Sequence, residues 1–123
     1  MDHAHRHGAD EGVAAWAGSH DPFTRAMAEA MKRMMAAMHA TPPSGDPDRD
    51  FLAMMAPHHE GAIAMARLLL LHGRDPLTRQ LAEEIIAGQT IEVQAMQARL
   101  AALGAAIEEY PALGGTRGGA SSQ

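Results

Sequence analysis

The stretch DPDRDFLAMMAPHHEGAIAMARLLLLHG, residues 46–73, starts and stops like a helix but carries in its middle a proline and two adjacent histidines. Asp46 is suited to an N-cap, where its carboxylate accepts a bond from an orphan backbone N–H, and Pro47 wastes no donor at the first helical position. Gly73 after His72 is the matching stop signal.

The same punctuation recurs outward from this segment. Asp21-Pro22 and Asp75-Pro76 open two further segments rich in Ala, Leu and Met, while TPPSG after His39 and Gly104 after Leu103 close them. The spacing predicts helices over 22–40, 47–72 and 76–103. Short connections favour antiparallel neighbours, and neither period-two alternation nor a solenoid-length repeat is present. The expected fold is all-α, an up-down bundle of three long helices. DEGVAAWAG, residues 10–18, adds a short N-terminal helix whose Trp16 caps the bundle. The expected organisation is a His-containing arm over 1–20, a bundle domain over 21–104 and a flexible Gly- and Ser-rich tail over 105–123.

Composition narrows the chemistry. The chain has 123 residues and a net charge of -5, and its ten Lys and Arg never form a run, which argues against nucleic acid as a partner. With no cysteine, disulfide scaffolds, thiolate metal sites and cysteine nucleophiles are excluded. Ten Met stand against two Phe, one Tyr and one Trp, so the core is expected to be built from Ala, Leu, Ile and Met. The longest apolar run, AIAMARLLLLHG, is short and contains Arg67, and no membrane insertion is expected. MDHAHRHGADEG has no apolar core of a signal peptide. The chain therefore reads as cytoplasmic if Met1 is the native start, or as the mature form of a periplasmic or secreted protein.

Helical spacing sorts the methionines into faces. Met27, Met31, Met34 and Met38 form one stripe on the first helix, with Met35 beside it. On the second helix Met54 and His58 are four residues apart, as are Met55 and His59, so two Met-to-His pairs lie side by side. Met65 continues the face of Met54 and His58. Pro57 removes a backbone hydrogen bond and clashes with the carbonyl of Ala53, which typically bends a helix. On the third helix Gln89, Glu92 and Met96 interrupt and extend an apolar stripe, and Glu92 needs a histidine, an arginine or a metal as partner if buried.

Methionine at helical spacing is also good core filling, but paired imidazoles bring nitrogens that need partners. Thioether with imidazole points to copper, Cu(I) foremost and Cu(II) through the histidines. Using Met in place of Cys suits an oxidising envelope compartment. His3, His5 and His7 alternate in the N-terminal arm, and a free amine, two amides and the His3 imidazole would make a square-planar site for Cu(II) or Ni(II).

Catalytic patterns fail. His59-Glu60 is followed by Ile63 where a zinc His-Glu-x-x-His motif needs histidine, no Glu-x-x-His pair of the di-iron type occurs, and no serine sits in a nucleophile elbow. The expectation is a binding protein, not an enzyme.

DFLAMMAPHHEGAIAMA, residues 50–66, together with LAEEIIAGQTIEVQAMQARL, residues 81–100, resembles the bacterial domain-of-unknown-function 305 family, over roughly residues 21–104. The resemblance implies a ferritin-like helical bundle, usually exported, with some members binding copper and linked to copper tolerance. By position it carries Met54, Met55, His58, His59, Met65, Glu92 and Met96 over as signature residues.

The expected ligands are Met54, Met55, His58, His59, Met65 and Met96, joined by Met31, Met34, Met35 and Met38, with Glu92 behind them orienting a histidine ring. The expected role is copper sequestration, transfer or tolerance. The alternative is a helical interaction module with the histidines bonded to Glu92 and Gln89, or a homodimer packed through the methionine stripe.

Overall fold

The computed structural model describes residue 12 and residues 14–109. Three long helices run as α1 (Pro22–Met38), α2 (Pro47–His72) and α3 (Pro76–Glu109). A short helical turn over 14–17 precedes them, and Trp16 in it, expected to cap the bundle, is 41 % exposed. No strand occurs among the described residues. The fold is the expected all-α helical bundle.

Each helix starts where an Asp-Pro pair starts it. Asp21 Oδ2 accepts from the Thr24 hydroxyl at 2.7 Å and the Thr24 N–H at 2.8 Å, and Asp75 Oδ2 takes the same two bonds from Thr78 at 2.7 and 2.9 Å. Those contacts, the threonine hydroxyl first and the N–H second, hold both carboxyls below their ordinary value. Asp46 caps α2 by accepting from the Asp48 N–H at 3.1 Å. The ends differ more from expectation. The first helix closes at Met38, with His39 as its C-cap; Thr41 precedes Pro42-Pro43, which disfavour helical conformation before them. The third helix does not stop at Gly104 but continues to Glu109. Among the described residues only Gly45 has positive φ, so Gly104 never adopts the left-handed stop conformation, and AAIEE after it is a good helix former.

The α1–α2 connection is tied by one side chain. Asp50 Oδ1 accepts from the Ser44 N–H at 2.8 Å and hydroxyl at 2.7 Å, and Oδ2 accepts from the Gly45 N–H at 3.1 Å. The Ser44 N–H is the main reason that the Asp50 carboxyl lies below its ordinary value. Gly45, at φ 90°, lets the chain make this turn. At the next corner Arg79 Nη1 donates to the carbonyls of Leu70, at 2.6 Å, and Gly73, at 3.0 Å, placing a cation at the C-terminus of α2. His72, in the last turn of α2, also packs edge-on to Phe23, ring centroids 5.7 Å apart.

The second helix is the central one: α1 and α3 each pack on it, and their contact with each other is marginal at most. The core between them is built from small residues, Ala28, Ala30, Ala56, Ile63, Ala66, Ala82 and Val93. None of the methionines from Met27 to Met96 is buried; they lie half-buried or exposed along the seams. Pro57 sits inside α2 without ending it. No helix among the described residues is long and apolar enough to cross a membrane.

Candidate metal centre

The seam between α2 and α3 holds a histidine with partners at both ring nitrogens. His59, with its side chain 14 % exposed, is gripped at both ring nitrogens. Nδ1–H donates to the Met55 carbonyl oxygen one turn back, at 3.0 Å, and Nε2 lies 2.7 Å from Glu92 Oε1. A carbonyl can only accept, so the contact assigns the proton to Nδ1. Glu92 is itself 60 % exposed, so solvent screens this pair, whose net worth is at most about 1 kcal/mol.

Helical spacing builds the rest. Met55 precedes His59 by one turn on α2, and Met96 follows Glu92 by one turn on α3. With Phe51 and Ala95 these residues line an apolar groove of about 280 Å³ that opens to solvent. Two thioethers, one imidazole and one carboxylate therefore share one cleft. Glu92 reaches the ring directly, on Nε2, while the contact that fixes the ring's orientation through Nδ1 comes from the Met55 backbone. Gln89, one turn before Glu92, makes no matching contact to a histidine: its Oε1 is buried without a hydrogen-bond partner.

The remaining expected donors are spread over other surfaces. His58 is exposed and lies outside the groove, its ring tilted 60° to that of His59 with centroids 5.9 Å apart. Met34 packs on Gly61, where an added Cβ would lie 2.5 Å from Met34 Sδ. Met38 and Met54 line a separate cleft at the α1–α2 elbow, together with His39. Half-buried Met31 and Met65 and exposed Met35 line neither cleft. His3, His5 and His7, like the tail after residue 109, lie outside the described residues. Among the described residues no three His, Cys, Asp or Glu side chains converge.

Sequence reasoning undervalued two residues. His39 stands one turn after Met35, a spacing visible in the sequence, but its nearness to Met54 depends on the fold of the elbow. Arg79, which caps a helix other than its own, has no local signature at all.

The family described as "Domain of unknown function (DUF305)" matches residues 2–100. An uncharacterized protein of Acanthamoeba polyphaga mimivirus is 38% identical over 53 residues, 43% of this chain and 35% of that protein. The chain thus spans about a third of the length of that relative.

Proposed function

The chain belongs to the DUF305 family, and from that premise we propose that it is a copper-binding protein, holding Cu(I) through methionine and histidine for sequestration, transfer or tolerance in the cell envelope. The observation that carries this reading is the groove in which Met55, His59 and Met96 lie together beside Glu92. Soft neutral thioethers with an imidazole suit Cu(I) and have little affinity for hard cations. His59 would bind through Nε2, the Met55 carbonyl holding Nδ1–H and so the ring, while Glu92 releases Nε2 and keeps its negative charge nearby. Met55 and Met96 are half-buried and line a groove that opens to solvent, so their thioethers stay accessible to an ion. The role is binding, not catalysis.

A second reading has its own support. The 2.7 Å contact of His59 with Glu92 satisfies both without any metal, as an interaction module would require.

The test is titration of the purified, tag-free chain with Cu(I) against a competing chelator, compared with Met55→Leu/Met96→Leu. Loss of at least about tenfold in affinity is expected, the scale seen even for groups behind the ligands. Equal binding by both proteins overturns the proposal for this groove.

A further inference from the structure

The elbow between α1 and α2 brings together a second set of soft donors. Met38 is the last residue of α1, His39 its C-cap, and Met54 lies on the second turn of α2. All three line one cleft of about 300 Å³, whose lining also includes Pro42, Pro43 and Ala53. None of its lining residues belongs to the His59 groove, because Met54 and Met55, adjacent in sequence, point about 100° apart on the helix.

Asp50 also borders the cleft, but as a structural staple. Its two oxygens already accept three bonds from Ser44 and Gly45, which holds the loop against α2. The soft donors of the cleft are therefore two thioethers and an imidazole, with the Thr41 hydroxyl and the already bonded Asp50 as the hard oxygens on its lining. Two thioethers with an imidazole favour a soft monovalent cation over Mg, Ca and Mn. Accessibility fits as well: Met54 is 45% exposed and His39 is exposed, so an ion can enter without opening the fold.

We propose that Met38, His39 and Met54 form a second binding site, for Cu(I) or the chemically similar Ag(I), separate from the His59 groove. It rests on the reading of the chain as a Cu(I)-binding protein for its biological role, but its geometry is independent of that groove.

The experiment uses the full chain labelled at methionine methyl carbons and titrated with Ag(I), followed by NMR. In wild type the Met38 and Met54 methyl signals shift and saturate. They do so equally in His59→Ala. His39→Gln weakens their response by about tenfold or more, and Met38→Leu/Met54→Leu lowers the Ag(I) stoichiometry by one while the Met55 and Met96 signals still shift. Leucine keeps the volume of methionine, and helical circular dichroism checks the fold of each variant. Met38 and Met54 signals that stay fixed while Met55 and Met96 move overturn this second site and leave the groove reading intact. The reverse pattern supports the second site and overturns the groove. No movement at any methionine overturns both.

Discussion

Met34 rests directly on the backbone of Gly61: a methyl group on that glycine would stand 2.5 Å from Met34 Sδ, 2.6 Å from its Cγ and 2.8 Å from its Cβ. This contact packs α1 against α2 and makes Met34 a packing residue. Because the clash reaches Met34 Cβ, a change of rotamer cannot relieve it. Gly61→Ala should therefore destabilise, since overpacking of about 1–3 kcal/mol outweighs a helix-propensity gain of about 1 kcal/mol. Urea unfolding checks this, and Met34→Ala in the same chain should recover part of the loss, giving a coupling in a double-mutant cycle.

Gly88 is the opposite case. It is exposed in the middle of α3, and a Cβ there would meet nothing within 4 Å. Gly88→Ala should stabilise by about 0.5–1 kcal/mol through backbone entropy and helix propensity. A loss of stability in the same unfolding experiment would mean that a further surface packs on this glycine.

Stability should fall on acidification. The carboxyls of Asp21, Asp50 and Asp75 lie below their ordinary value of 3.8, each held down by bonds to Thr24, Ser44 and Thr78 respectively. A depressed folded-state value contributes stability that is present above 3.8 and lost as pH falls through the lower folded values. Thermal melts between neutral pH and about pH 3 should show the decline. Asp21→Ala and Asp75→Ala should melt lower at neutral pH and lose less on acidification. Identical pH dependence in wild type and variants would contradict the capping account.

Glu92→Gln separates the two functional readings. With Glu92 60% exposed, removing its charge should change stability by less than about 1 kcal/mol. A loss well above that, measured by urea unfolding, would mark the His59–Glu92 contact as a principal structural tie and favour an interaction module.

Much of the fold was legible because its signals are local. Each Asp-Pro pair marks a helix start by chemistry confined to four residues, and all three starts are found as expected. Stops were less legible: Gly104 resembles a terminator, but glycine only permits the left-handed conformation, and the following Ala-Ala-Ile-Glu-Glu continues the helix. The site was legible in pairs and not as a whole. The spacing of Met55 with His59, and of Glu92 with Met96, follows from 3.6 residues per turn. Which pairs meet across helices depends on rotation about each axis, and a single position separates Met54 in the elbow from Met55 in the groove. Met34 looked like a ligand by periodicity, and its contact with Gly61 depends on the approach of another helix.

The central claim is that the His59 ring, held through Nδ1 by the Met55 carbonyl, is the imidazole around which the groove binds Cu(I). Its most direct test is Cu(I) competition titration of His59→Ala and His58→Ala beside wild type. The account predicts at least about tenfold weaker binding at the groove for His59→Ala and a smaller effect for exposed His58→Ala. Binding by His59→Ala equal to that of wild type would contradict it.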